Sequence, residues 1–153
     1  IFDFSRVEFE PLMEDQEGCI SHQITTSGSI PSQRKGHNTV CYKNNFYLFG
    51  GQTQDLKENT TRFIHILNLE TFVWTLFDVV NSNISPRSQM TTNWINPETI
   101  FFFGGLENIS NEGLNDVICL RMEDLHFSFP FVAGEYPLPR YGHASCNYFG
   151  QSE

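Results

Sequence analysis

The sequence repeats a short pattern every 53 residues, and this period constrains the fold more strongly than any local feature does. Arg34, Arg87 and Arg140 are separated by this step, and each arginine opens a similar phrase. Trp74 and Phe127 are also 53 residues apart. Self-similarity at a fixed period of roughly 20–50 residues is typical of solenoids, propellers and other repeat architectures. The period therefore predicts a fold built from copies of one supersecondary unit.

Each copy of the pattern contains four short segments that are typical of β-strands. They are residues 37–42, 46–49, 62–67 and 72–77 in the first copy, and 89–95, 99–103, 116–121 and 126–131 in the second. No segment has a sustained apolar period of about 3.6 residues, so we expect almost no helix. Four antiparallel strands in about 50 residues are typical of one blade of a β-propeller. The sequence therefore predicts an all-β fold.

The residues at fixed places in each copy resemble the kelch-repeat family. The family pattern opens on Arg-x-Gly-His, has a Gly-Gly pair after the second strand, and has a Trp in the fourth strand. The matching residues are Arg34, Gly36, His37, Gly50, Gly51 and Trp74 in the first unit, Arg87, Gly104, Gly105 and Phe127 in the second, and Arg140, Gly142 and His143 in the third. The second unit departs from the pattern, because Ser88 and Gln89 follow its arginine and Phe127 replaces the Trp. The resemblance implies a kelch-type β-propeller segment of four-stranded antiparallel blades.

The repeat divides the chain into five expected segments. Residues 1–13 are expected to end a preceding blade and 14–33 to form an inserted inter-blade loop. Residues 34–85 and 86–138 are expected to be two kelch blades, and 139–153 the first strand of a further blade. Propellers typically have four to eight blades, so we expect an incomplete ring. Further blades of the same protein, or a second chain, would then complete it.

The glycine pairs and the fourth-strand aromatics are expected to serve the fold. A Gly-Gly pair can end a strand where the backbone turns at positive φ, because glycine has no Cβ. Trp74 and Phe127 are expected to lie as large apolar plates between adjacent blades. These residues therefore indicate the fold, and they do not indicate a catalytic or ligand-binding site.

The repeated polar residues are also interpreted as structural. Arg34, Arg87 and Arg140 are expected to donate hydrogen bonds to carbonyls or carboxylates between blades, with direct ligand contact as the alternative. His37 and His143 recur because the repeat recurs, so we expect no metal site at either residue.

The long predicted connections, 14–30, 52–61 and 106–115, all fall at one end of the blades. These connections are rich in acids, in a chain of net charge −9. The acids predicted to bind a partner are Glu14, Asp15, Glu17, Asp55, Glu58, Glu107 and Glu112. An acidic face disfavours nucleic acid and favours a protein partner with a basic surface. The alternative is that these loops are only solvated.

The leading functional hypothesis is a non-enzymatic protein–protein interaction scaffold without a cofactor, as the kelch resemblance implies. The sequence has no Gly-x-Ser-x-Gly, phosphate-loop or His-Glu-x-x-His motif. The alternative is part of a kelch-like enzyme, either a copper-radical oxidase or a propeller fused to a catalytic domain. Cys41, Tyr42, Cys146 and Tyr148 on the expected innermost strands would serve the oxidase, although they fit packing equally well.

Cysteine usage and hydropathy bear on the cellular compartment. The four cysteines form no Cys-x-x-Cys pair, which favours free thiols in a reducing compartment. The three Asn-x-Ser/Thr sequons are close to the number expected by chance in this composition. No apolar run approaches the roughly 20 residues that a membrane helix needs. We therefore expect a cytoplasmic protein, with cytoskeletal association as an option and secretion disfavoured, and no membrane partner.

Overall fold

The computed structural model describes residues 6–7, 24–54, 60–79 and 83–147. All regular structure in these residues is β-strand, which confirms the all-β prediction. The strands are β1 Arg6–Val7, β2 Ile24–Thr25, β3 Ser27–Gly28, β4 Arg34–Lys35, β5 Asn38–Tyr42, β6 Asn45–Phe49, β7 Gln52–Thr53, β8 Phe63–Asn68, β9 Val73–Asp78, β10 Arg87–Ser88, β11 Thr91–Asn96, β12 Thr99–Glu107, β13 Gly113–Arg121 and β14 His126–Ser128. Two of the sheets that they form correspond to the two predicted blades.

The first blade is an antiparallel sheet in the order β9-β8-β6-β5. In its register, Val40 is opposite Tyr47, which is opposite Ile66. Successive side chains of a strand point to opposite faces, so these three residues share one face of the sheet. The sheet gains a fifth strand because β3 pairs parallel to β9.

The second blade has the order β11-β12-β13-β14 from its first strand to its last, and the short β10 pairs with the far end of β12. Its register places Trp94, Ile100, Leu120 and Phe127 opposite one another across the sheet. These residues form one face, and Asn93, Phe101 and Cys119 belong to the other. A register shift between Trp94 and Asn96 makes a β-bulge in β11.

The main hydrophobic core is the inter-blade seam, where the two blades pack face to face. Phe49 and Ile64 of the first blade cluster there with Ile100, Phe102 and Leu120 of the second. The Phe49 and Phe102 rings meet edge to face, with centroids 5.3 Å apart. Such an aromatic pair contributes about 0.5–1.5 kcal/mol beyond the burial of its area, so the seam holds the two blades in one orientation.

A second, smaller cluster covers the opposite face of the first blade. It joins Leu48, Leu67 and Trp74, and Phe46 packs against them. Trp74 has only 1% of its surface exposed, and the Phe46 ring meets it edge-on at 6.2 Å. The first blade is therefore packed on both faces.

The structure changes the predicted inserted loop at 14–33. Within its described part, residues 24–25 pair with Arg6–Val7 and residues 27–28 pair with Val73–Trp74. The backbone of this segment thus satisfies its hydrogen bonds by strand pairing, which its polar sequence does not reveal. Residues 14–23, and all of 1–13 except residues 6–7, lie outside the described residues.

The structure also corrects the predicted long loop at 106–115. Strand β12 continues to Glu107 and β13 begins at Gly113, so only residues 108–112 form the turn. Conversely, β14 ends at Ser128 rather than at residue 131. Pro130 cannot donate a backbone hydrogen bond to a ladder, which explains the early end. Residues 139–147, predicted as the start of a further blade, contain no assigned strand.

Candidate functional site

The repeated arginines hold the second strand of their own blade. Arg34 is buried, and its Nη1 donates to the Gly50 carbonyl at 3.2 Å. Arg87 is also buried and donates through Nη1 to the Gly104 carbonyl at 3.3 Å. Its Nη1 is also 2.6 Å from an Asp116 carboxylate oxygen. The predicted carbonyl and carboxylate partners are therefore present, and the bonds described here for Arg34 and Arg87 lie within one unit rather than between blades.

The backbone of the arginines, rather than their side chains, connects neighbouring units. The Gly51 N–H donates to the Arg87 carbonyl at 3.0 Å, and the Gly105 N–H donates to the Arg140 carbonyl at 3.0 Å. The Arg140 side chain is exposed and donates to the Leu138 carbonyl. One hydrogen bond is thus repeated at both junctions, and each Gly-Gly pair is the point where a blade is tied to the next unit.

A second repeated contact runs along the first strands of successive units. The Gln89 N–H donates to the Gly36 carbonyl at 2.7 Å, and the Gly142 N–H donates to the Gln89 carbonyl at 3.0 Å. Further along, the Asn93 side-chain amide donates to Ser145 Oγ at 2.6 Å. Residues 139–147 therefore continue the arrangement of the two blades although they form no strand.

The repeated histidines are half-buried between units. His143 Nε2 lies 3.0 Å from Thr91 Oγ1, and its ring meets Phe103 edge-on at 5.3 Å. Burial, and then the nearby Arg140 charge, lower the pKa of His143. Burial, and then the Arg34 charge, likewise lower the pKa of His37. Both histidines are therefore neutral at pH 7, as packed side chains should be.

We expect acidification to destabilise the protein through these two histidines. Their folded-state pKa values lie below the ordinary value of about 6.5, so the unfolded chain binds more protons as the pH falls through that value. Stability is then full above pH of about 6.5 and declines below it. Urea unfolding at pH of about 7.5 and 5.5 would measure this. Replacing both residues (His37→Gln with His143→Gln) should flatten the decline, whereas His126→Gln, at an exposed site, should leave it intact. An equal decline in both variants would contradict the assignment.

The fourth-strand aromatics occupy corresponding places on the two blades. Phe127 packs into the inter-blade seam, with its ring centroid 6.3 Å from that of Phe102. Trp74 lies on the face of the first blade that is turned away from the second. In each blade the fourth-strand aromatic side chain therefore faces away from the repeat unit that comes next in the sequence. The packing partners of Trp74 among the described residues belong to its own blade.

Only two of the seven acids predicted to bind a partner fall within the described residues. Glu107 accepts hydrogen bonds from the Ile109 and Ser110 backbone N–H groups and thereby caps the turn 108–112. Burial acts to raise the pKa of this carboxyl, but the hydrogen bonds from Ser110 and Ile109, with the Arg87 charge, lower it below its usual value. Glu112 is exposed in the same turn. Glu14, Asp15, Glu17, Asp55 and Glu58 lie outside the described residues.

A polar cleft that the sequence did not predict opens at the same end of the first blade. Its volume is about 270 Å³, and it is lined by Gln33, Arg34, Lys35, Gln52, Thr53 and Gln54. Strands β4 and β7 form its walls, since Arg34 pairs with Thr53 and Lys35 with Gln52. Among the described residues, the lining contains two bases and no carboxylate. The sequence feature that corresponds to this cleft is the group of glutamines, Gln33, Gln52 and Gln54, beside the two strands.

The residues considered for copper chemistry do not form a described metal site. Cys41 and Cys146 are exposed free thiols, and the Tyr42 ring packs against Trp94 with centroids 6.1 Å apart. Tyr148 lies outside the described residues. In the described part of the chain, no three His, Cys, Asp or Glu side chains are grouped closely enough to hold a metal ion. The same part contains no helix long and apolar enough to cross a membrane.

One of the three sequons is used by the fold. Asn108 has 4% of its surface exposed, and its side-chain amide donates to the Gly51 carbonyl at 2.9 Å. Its backbone N–H donates to the Pro86 carbonyl at 2.8 Å. A glycan on this amide would break the contact between the blades, so Asn108 serves as a structural residue.

Comparison with known proteins agrees with this geometry. The family described as the KLHDC2/KLHL20/DRC7 Kelch-repeats domain matches residues 13–152. Acyl-CoA-binding domain-containing protein 4 of Arabidopsis thaliana is 31% identical over 121 residues, which are 79% of this chain and 18% of that protein. Kelch domain-containing protein 1 of Mus musculus is 38% identical over 97 residues, which are 61% of this chain and 23% of that protein.

A third relative is named as an effector. Rab9 effector protein with kelch motifs of Bos taurus is 30% identical over 125 residues, which are 78% of this chain and 32% of that protein. The chain therefore spans about a third or less of the length of these relatives. Because the family match covers nearly the whole chain and the two blades carry the repeated residues, this chain belongs to the kelch-repeat family.

Proposed function

We propose that this chain is a segment of a kelch propeller that binds a protein partner without catalysing a reaction. The proposal rests on the difference between the connections at the two ends of the blades. Tight turns, such as 43–44 and 97–98, join strands at one end, whereas residues 83–86, residues 129–139 and the turn 108–112 lie at the other. Loops on a rigid scaffold are the usual place for binding. The name of the bovine relative, a Rab9 effector, also supports protein binding.

The binding end is proposed to select a partner with a basic surface. The chain carries a net charge of −9, and Glu112 and Glu135 are exposed at this end. The cleft beside the exposed Lys35 adds a local positive charge with which an acidic group of the same partner can pair. Long-range attraction by the net charge would increase the rate of association with a basic partner, and the cleft would fix its orientation.

The remaining blades are proposed to cover the free face of the second blade. Phe101, Phe103 and Val117 are only partly buried on this face, which corresponds to the face that the first blade buries in the seam. Residues 139–147 already cover its edge through the Asn93–Ser145 and Thr91–His143 contacts. A further kelch blade, from the same protein or from another chain, fits this surface because the contacts continue the pattern of the seam.

Charge reversal at the binding end tests the proposal. We expect replacement of Asp55, Glu58 and Glu112 by lysine to reduce partner recovery in affinity purification from cells by roughly tenfold or more, a change of about 1.4 kcal/mol. Glu107 is left unchanged because its carboxylate caps a turn. The matched control replaces Glu70, Glu98 and Glu123, which are exposed near the opposite end, by lysine. Equal recovery with both triple variants would refute binding at the acidic end.

A further inference from the structure

A second cleft opens at the opposite end of the inter-blade seam, among the tight turns. Its volume is about 300 Å³, and it is lined by Cys41, Tyr42, Lys43, Trp94, Asn96 and Pro97. The first three residues lie at the end of β5 and the last three at the end of β11. These are the first strands of the two blades, so the cleft is shared between the blades. A volume near 300 Å³ is at the lower end of the range for ligand sites.

Two aromatic rings from different blades form the floor of this cleft. The Tyr42 and Trp94 centroids are 6.1 Å apart, and their planes are inclined by 35°. Both side chains are packed against the seam but remain partly exposed. The apolar core between the blades therefore reaches solvent here as an exposed surface made by two rings in contact.

A β-bulge in the second blade lies directly beside the cleft. The distance along the chain from Arg34 to Gly50 is 16 residues, whereas that from Arg87 to Gly104 is 17. The register shift between Trp94 and Asn96 accommodates an additional residue in this hairpin, and Ile95 is 52% exposed there. β-Bulges re-aim neighbouring side chains and are frequent beside functional sites. The bulge lies between Trp94 and Asn96, two residues that line the cleft.

The electrostatic character of the cleft differs from that of the chain as a whole. Among the residues that the structure describes, Lys43 is the one charged residue of the lining and no carboxylate lines the cleft, although the chain has a net charge of −9. The Lys43 Nζ lies 5.0 Å from the centroid of the Tyr42 ring. This contact holds the ammonium group at the rim, and the exposed side chain has no ion-pair partner among the described residues. The cleft therefore complements an apolar group that has an anion next to it.

We propose that this cleft binds an extended, proline-containing acidic segment of a partner protein. Aromatic-lined grooves accept proline rings, and a proline-rich segment loses little conformational entropy on binding because it is already extended. In this arrangement a proline ring packs onto the exposed surface of the Tyr42 and Trp94 rings, and a neighbouring carboxylate pairs with the Lys43 ammonium. The Asn96 side chain already accepts the Glu98 N–H in its turn, so it is held in place at the rim. The site is distant from the loop end, so it does not depend on the function proposed there.

Titration with short peptides tests this site on the purified protein. The probe is an eight-residue peptide of alternating proline and aspartate with blocked ends, and binding is followed by calorimetry and by tryptophan fluorescence. We expect saturable binding with a fluorescence change that persists in Trp74→Phe and is lost in Trp94→Phe. Peptides that have alanine in place of proline, or lysine in place of aspartate, should bind at least about tenfold more weakly.

A pair of charge variants locates the site independently of fluorescence. Lys43→Glu should weaken binding of the proline–aspartate peptide at least about tenfold, whereas Lys35→Glu, the same change at the loop end, should alter it less than about twofold. Both lysines are exposed, so neither variant should disturb folding. The proposal is overturned by equal effects of the two variants, by absence of a Trp94-dependent signal at millimolar peptide, or by tighter binding of the lysine peptide.

Discussion

Replacement of Trp74 by alanine should lower the free energy of unfolding by about 3–5 kcal/mol, as truncation of a fully buried aromatic usually does. The indole is 1% exposed and clusters with Leu48 and Leu67. It also meets the Phe46 and His65 rings edge-on, with centroids 6.2 and 6.5 Å away. Alanine would remove these contacts and leave a cavity that the paired strands cannot collapse to fill. Urea unfolding, followed by circular dichroism, gives the difference.

Two control variants define what this loss means. Phe127 occupies the corresponding position in the second repeat, so Trp74→Phe should cost only about 1–2 kcal/mol, because a buried ring remains. Ile109→Ala, at a side chain that is 68% exposed, should change stability by no more than about 0.5 kcal/mol. A loss below about 1 kcal/mol for Trp74→Ala would show that this cluster does not support the blade.

The repeat period located both blades because it reports on the unit that recurs, independently of local propensity. The strands of the first blade began and ended within one residue of their predicted limits. Alternating apolar and polar residues determine such strands directly, since one face must be buried. The family and the all-β propeller fold were therefore predictable from the positions of a few arginines, glycines and aromatics.

The Gly-Gly pairs were the main source of error. They were interpreted as strand ends, yet pairing resumes beyond them: Gln52–Thr53 pairs with β4, and Leu106–Glu107 pairs with β10. The pair is thus a kink within a hairpin, because glycine permits the backbone to bend without ending the ladder. A polar segment after glycine gives no sign of this resumed pairing, since its partner strand is only two residues long.

The binding sites were less predictable than the fold. The Lys43 cleft lies beside a one-residue bulge in the second blade, and a shorter connection between β12 and β13 offsets the additional residue. Trp74 and Phe127 remain 53 residues apart as a result, and so the period conceals the irregularity. The loop-end cleft requires Gln33 and Gln52 to be brought together by strand pairing. Both clefts therefore depend on which residues of neighbouring strands lie opposite each other. Hydrophobic patterning indicates which face of a strand is buried, but it does not indicate which residue on the next strand each residue pairs with.

Substitution of Gly50 by alanine should destabilise the protein by about 2–3 kcal/mol and should loosen the junction between the blades. Gly50 has φ of 61°, a left-handed conformation that costs other residues about 1–2 kcal/mol. A Cβ at this position would lie 2.7 Å from the Arg87 carbonyl oxygen, which is backbone and cannot rotate away. That carbonyl accepts the Gly51 N–H across the junction, and its displacement would weaken a hydrogen bond that contributes about 0.5–1.5 kcal/mol.

Gly134→Ala separates the two causes of this loss. Gly134 also has a positive φ, of 94°, but a Cβ there would meet no atom within 4 Å. It should therefore show only the conformational cost, and the difference between the two variants measures the steric conflict with the Arg87 carbonyl. Hydrogen exchange provides a second reading, because the Gly51 amide should lose protection in Gly50→Ala and keep it in Gly134→Ala. If the two variants were equally stable and the Gly51 amide equally protected, this hydrogen bond could not be what holds the blades together. The seam would then depend on the apolar contacts of Phe49 and Phe102, since these do not involve the glycine.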